Sequence, residues 1–190
     1  MIRMHMLAGC SCVGLFCFMV VAPLQAAVTT LGSTSARLCY EAAERNLSLR
    51  TGLAECDRAL TEELLDVRDR AATLVNRGII RLLLKNPAGA LEDYNMAISL
   101  KPGMGDAYLN RGFLYLRLGN RDEEARTELT RGIELGSSNP AAGYYGRAFA
   151  NELTGRISEA YQDFRKAAEL KPDWASPKEQ LARFQIKSAN

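Results

Sequence analysis

Histidine is nearly missing from this chain: His5 is the only one in 190 residues, and it stands beside an apolar amino-terminal run. Charge of one sign is missing too. The 24 Lys and Arg against 22 Asp and Glu leave a formal net charge of +2, with no basic stripe and no charge run. That balance argues against nucleic acid and anionic membrane surfaces as partners of the folded chain. There is no Gly-rich phosphate loop, since the glycines fall at turns and at packing positions between helical patterns. Cysteine is scarce and unevenly placed, with three of the five (Cys10, Cys12, Cys17) inside the first 26 residues.

Those first residues have the composition of a targeting segment. Arg3 precedes an apolar run from Met6 to Ala22, broken only by Ser11, and Pro23-Leu24-Gln25-Ala26 brings small residues up to a cleavage point after Ala26. The run is short for a membrane span of roughly 20 residues. A secretory signal peptide over 1–26 is the expectation, with an uncleaved inner-membrane anchor as the alternative. Leu7-Ala8-Gly9-Cys10 has the form of a lipoprotein box, but the apolar segment follows it where it should precede it, which argues against lipidation. Removing 1–26 takes away Arg3, His5 and three cysteines. The mature chain then holds 23 basic and 22 acidic residues, no histidine, and only Cys39 and Cys56. No His-based triad and no His/Cys metal site can be assembled from that inventory. No cofactor, no metal and no catalytic residues are expected. Adjacent carboxylates such as Glu62-Glu63 and Glu123-Glu124 point in different directions along a helix and read as solvated faces.

What is present is repetition. From Ala71 to Pro102 the chain reads as two helices broken at Asn86-Pro87 and stopped at Pro102. Gly78, Ala90 and Ala97 let the pair approach closely, and Tyr94 fills the space between them. Asn110-Arg111-Gly112 repeats Asn76-Arg77-Gly78 after 34 residues, and Gly146-Arg147-Ala148 repeats it again after 36. Gly119, Ala125, Leu129 and Gly132 follow the second copy; Gly155, Ala160, Phe164, Ala167 and Pro172 follow the third. This pattern resembles the tetratricopeptide repeat, over roughly residues 71 to 172. The second copy departs from it by one extra residue between Gly119 and Ala125 and by Leu129 where an aromatic is usual. The resemblance implies an all-α, right-handed solenoid of antiparallel helix pairs that bury their apolar faces on one another.

The chain then divides as a signal peptide (1–26), a flexible lead (27–35), a divergent first repeat (36–69), three repeats (70–172) and a C-terminal capping helix (173–190). Asp66 to Arg70 reads as the link between the first two units. Asn86-Pro87 and Asn139-Pro140 read as N-cap followed by first helical residue. Ser176 and Glu179 read as a capping box for a final helix from Pro177 to Lys187. In an antiparallel hairpin, opposed residues share a constant sum of positions. The sum set by Leu74 and Ala97, moved back one repeat of 38 residues, is the one that Cys39 and Cys56 satisfy. In an exported chain with two cysteines in register, a disulfide is expected.

Three arginines recur before the small residue, and an acid recurs on each second helix: Arg77 with Asp93, Arg111 with Glu128, Arg147 with Asp163. They read as structural ion pairs that set helix register. In tetratricopeptide solenoids the first helices line a concave groove, and Asn76 and Asn110 fit two rungs of an asparagine ladder that holds a peptide backbone through paired donor and acceptor. Val75, Ile79, Leu109, Phe113, Tyr145 and Phe149 lie beside those rungs at helical spacing. A solvated or locally bonded Asn and a groove covered by the lead or the last helix are the structural alternatives. The carboxylate clamp of chaperone-binding members needs cations where Val75 and Leu109 stand, so that function is not carried over. The expected function is an exported adaptor or scaffold, periplasmic or secreted, holding a protein or peptide segment. Self-association into an envelope assembly is an alternative, and a carboxylate-dependent enzyme using Glu152 is a lesser one.

Overall fold

The computed structural model describes residues 4–5 and 34–186. The signal-peptide expectation for 1–26 falls outside them apart from Met4–His5. Nine helices follow one another among the described residues: α1 (Thr34–Arg45), α2 (Leu49–Glu62), α3 (Val67–Leu83), α4 (Pro87–Leu100), α5 (Gly105–Leu118), α6 (Asp122–Glu134), α7 (Pro140–Leu153), α8 (Ile157–Leu170) and α9 (Ala175–Leu181). Two short segments, β1 (Met4–His5) and β2 (Gln185–Ile186), pair antiparallel. The helices form four hairpins, α1/α2 to α7/α8, each stacked on the one before, and α9 closes the end against α8.

Local chemistry sets the boundaries. Asn86 and Asn139 cap α4 and α7, accepting from the amides of Gly89 (3.0 Å) and Ala142 (3.1 Å), with a proline at the first helical position of each. Asp66 caps α3 by accepting from the Asp69 amide at 2.7 Å, so residues 67–70 are the first turn of α3 and not a link. The turn after α3 places Lys85 in the left-handed region (φ 62°), and the turn after α7 uses Gly155 there (φ 76°). Between α5 and α6 the chain uses two such residues, Gly119 (φ 69°) and Asn120 (φ 57°), which is how the extra residue of this repeat is absorbed.

Close helix approach comes from the small residues. A Cβ added at Gly78 would lie 2.5 Å from the Tyr94 ring, and one at Gly112 would lie 2.7 Å from Leu129. Tyr94, Leu129 and Phe164 occupy the same place in successive hairpins, and all three are fully buried. Cys39 and Cys56 join α1 to α2 in a disulfide.

The carboxyl end differs from the expected helix over 177–187. The last helix starts two residues earlier, after Trp174, and has no side-chain cap, so Ser176 and Glu179 form no capping box. It ends at Leu181. Phe184 then packs on Tyr161 (5.7 Å) and Phe164 (5.9 Å) of α8, and that long-range aromatic contact accompanies the chain's departure from the helix.

Candidate functional site

The residues expected to line an open groove are largely interior. Asn76 and Asn110 are both fully buried, as are Val75, Ile79 and Leu109, while Phe113 and Tyr145 are nearly so and Phe149 is half-buried. The expected asparagine rungs are therefore not displayed on an open face. The Asn110 amide donates to the Asp106 carbonyl one turn earlier, at 2.8 Å. The Leu109 side chain packs against Gly143 of α7 and the Phe113 ring against Gly146 of α7, so both side chains seal the contact between hairpins. Tyr145 and Phe149 belong to an aromatic cluster with Phe164 and Trp174. Helical spacing places these residues on one face; it does not reveal that the next hairpin covers it.

The three arginines form a repeated device with two ends. Arg77 grips Asp93 of its own hairpin (2.7 Å) and reaches back to Asp57 of α2 (2.8 Å). Arg111 holds Glu128 (2.8 Å) and Asn95 of α4 (2.7 Å). Arg147 holds Asp163 (2.8 Å) and Thr130 of α6 (3.4 Å). Asp57, Asn95 and Thr130 occupy equivalent places on three successive second helices. Each arginine thus ties its hairpin to the preceding one. The Asp93 side chain is fully buried, and burial raises its carboxyl pKa against the opposing hydrogen bonds of Arg77 and the charge of Arg81. The hydrogen bond to Asp163 is the main reason the Arg147 guanidinium titrates above its ordinary value.

Glu152, the carboxylate considered for catalysis, pairs with Arg183 at 2.7 Å. Burial raises its pKa and Arg183 opposes that rise. The geometry is that of an ion pair closing the carboxyl end. No group of His, Cys, Asp and Glu among the described residues is placed to hold a metal ion, and no described helix is long and apolar enough to cross a membrane.

One open cleft stands out, of about 440 Å³, between α2, α3 and α4. Leu60, Leu74, Met96 and Leu100 supply its apolar lining, with Arg70 and Arg77 beside them. Leu74 is nearly buried, whereas Met96 is 51 % exposed. Sequence reasoning missed this place, although the repeat alignment carries the signal. Leu74 stands where the next two repeats have Tyr108 and Tyr144. Those rings lie under the repeated arginines, 5.6 Å from Arg111 and 5.2 Å from Arg147. Met96 and Ser99 stand where later repeats have the ion pairs Arg131–Glu134 (3.7 Å) and Lys166–Glu169 (3.4 Å).

Comparison with known proteins fits this architecture. Residues 141–173 match the tetratricopeptide repeat family model. Tetratricopeptide repeat protein 36 of Danio rerio is 44% identical over 72 residues, which is 36% of this chain and 38% of that protein. Mouse (Mus musculus) serine/threonine-protein phosphatase 5 is 35% identical over 89 residues, 47% of this chain and 17% of the phosphatase. The chain thus spans well under half the length of these relatives. Among solved structures, MamA (41-end) from Desulfovibrio magneticus RS-1 superposes with a TM-score of 0.61 at 18% identity, covering 78% of this chain and 82% of its own. The second TPR of Spaghetti (RPAP3), bound to the HSP90 peptide SRMEEVD, superposes with a TM-score of 0.50 at 26% identity, covering 53% of this chain and 92% of its own.

Proposed function

We propose that this chain, built as a tetratricopeptide solenoid, is a protein-interaction scaffold that holds a segment of a partner protein. The observation that carries the reading is the likeness to the Spaghetti domain, which was determined with a peptide bound. The repeated arginine ties support it, because they fix each hairpin on the last and leave a preformed surface for a partner. The acidic SRMEEVD type of ligand is not carried over, since buried Val75 and Leu109 stand where a carboxylate clamp would need cations.

Export belongs to the same proposal. The apolar run Met6–Ala22 followed by Pro23-Leu24-Gln25-Ala26 supports cleavage after Ala26, and the Cys39–Cys56 disulfide suits an oxidising compartment such as the periplasm. Cell fractionation with amino-terminal sequencing tests it: a new terminus at Ala27 outside the cytoplasm is expected, and an intact Met1 on a cytoplasmic protein overturns it.

The binding reading is tested by cross-linked capture from envelope extract with tagged protein, next to an unrelated tetratricopeptide solenoid as control. A partner captured by this chain alone is expected. Identical partners for both baits, or none, overturn it. In the second case light scattering reads whether the chain associates with itself.

A further inference from the structure

We propose that the cleft between α2, α3 and α4 is a docking pocket for an aromatic side chain of a partner protein, flanked there by a carboxylate. This rests on the interaction-scaffold reading and names its site.

The aromatic occupant is argued from the chain's own repeats. In the second and third hairpins the space beneath the repeated arginine is filled from within, by Tyr108 under Arg111 and Tyr144 under Arg147. In the first of the three, the equivalent residue is Leu74, which is shorter, and the space remains as the cleft beside Arg77. A ring entering from outside would meet Arg77 as those tyrosines meet their arginines, an arrangement that is favourable when partly desolvated. The walls are suited to it. The place of Met96 is held by a cation in every other hairpin, Arg58, Arg131 and Lys166, and only here by a thioether, whose sulfur makes favourable contacts with ring edges. Leu60 and Leu100 complete an apolar lining. Aromatic anchors seated in such pockets carry much of the binding energy of protein interfaces.

The carboxylate is argued from Arg70. In the next two repeats its place is taken by Met104 and Pro140. Its guanidinium donates to the Leu60 carbonyl at 2.8 Å and makes no ion pair among the described residues. Arg77, by contrast, is already committed to Asp57 and Asp93. A cation without a carboxylate beside an apolar cleft is complementary to an acidic residue next to the partner's ring. Three departures from the repeat pattern, at Arg70, Leu74 and the Met96/Ser99 pair, thus fall on one spot.

The test is an NMR titration of the nitrogen-labelled full chain with acetyl-Phe-Asp-amide at millimolar concentrations. Amide shifts confined to α2, α3 and α4 around the cleft are expected. Affinity should fall at least about tenfold when the probe carries Ala for Phe, and in the variant Leu74→Tyr, which fills the space from within. Met96→Arg, at a half-exposed position that tolerates a cation in the other hairpins, is the second variant and should weaken the probe comparably. Shifts elsewhere, no shifts at all, or shifts unchanged in either folded variant overturn the pocket. Perturbations that depend on protein concentration without the probe would make a second copy the occupant and overturn the partner assigned here. Capture with wild-type and Leu74→Tyr baits separates the two levels. Partners retained by both baits sink the pocket and leave the scaffold standing, whereas partners absent from both sink the scaffold itself.

Discussion

Tyr94 shows how much one side chain both gives and withholds. Its ring is fully buried against Gly78, and its hydroxyl has no hydrogen-bond partner among the described residues. A desolvated hydroxyl is a cost, so Tyr94→Phe should raise stability by about 1 kcal/mol, measured by urea unfolding, where most large core substitutions lower it. Burial, and secondarily the charge of Asp93, pushes the Tyr94 phenol above its ordinary value. The folded-state pKa is therefore above the unfolded one of about 10. The resulting stability is fully present below that pH and is lost as pH rises beyond it. Tyr94→Phe should remove this alkaline slope; an unchanged slope would show that the phenol is not the group responsible. The place of Tyr94 was legible in the sequence because a residue filling a hairpin is fixed by the small residues opposite it. Asn110 is bonded locally to the Asp106 carbonyl, the alternative that stood beside the ladder, whereas the burial of Asn76 and Asn110 was not legible because it depends on packing across the fold.

At the scale of the helix, the arginine ties were half legible. The own-hairpin acids recur at near-constant offsets, so Arg77–Asp93, Arg111–Glu128 and Arg147–Asp163 can be paired from the sequence. Their second partners, Asp57, Asn95 and Thr130, cannot, because an acid, an amide and a hydroxyl share no letter pattern. Arg77→Met leaves the buried Asp93 carboxylate with Arg81 alone, and it should cost about 3 kcal/mol. Combining it with Asp93→Leu should recover much of that loss, since replacing both partners removes the stranded charge. A double-mutant cycle by denaturant unfolding measures it, and additive losses would overturn the coupling. The termini of α4 and α7 were readable from Asn-Pro because a cap is a local interaction. The end of α9 was not, because Phe184 answers to α8 and not to its own neighbours.

Across the whole molecule, four hairpins bury surfaces that none could bury alone, and the α1/α2 pair carries the added Cys39–Cys56 bridge. Closing that short loop contributes about 3 kcal/mol in the chain-entropy model, so Cys39→Ser with Cys56→Ser should lower stability by about that amount. Thiol titration of the denatured, unreduced protein should find no free cysteine in the chain processed after Ala26. Two per chain would remove the bridge. The all-α architecture was legible because a three-fold repeat is a long-range signal written in short-range letters. The cleft beside Arg77 is written in the sequence only as departures from the repeat, at Arg70, Leu74, Met96 and Ser99, and those letters alone do not say that a space stays open among them.

The ties also have a direction. Arg77, Arg111 and Arg147 each reach toward the amino terminus, to a group on a helix that precedes them in the chain. A ribosome releases the chain in that same order. When each new hairpin emerges, the acceptor for its arginine is already in place on the hairpin before it. The carboxylate partner of each follows 16 or 17 residues later, on the second helix of the same hairpin, so the tie to the preceding hairpin is the first that can form. The array is wired so that it can be completed in the order in which it is made.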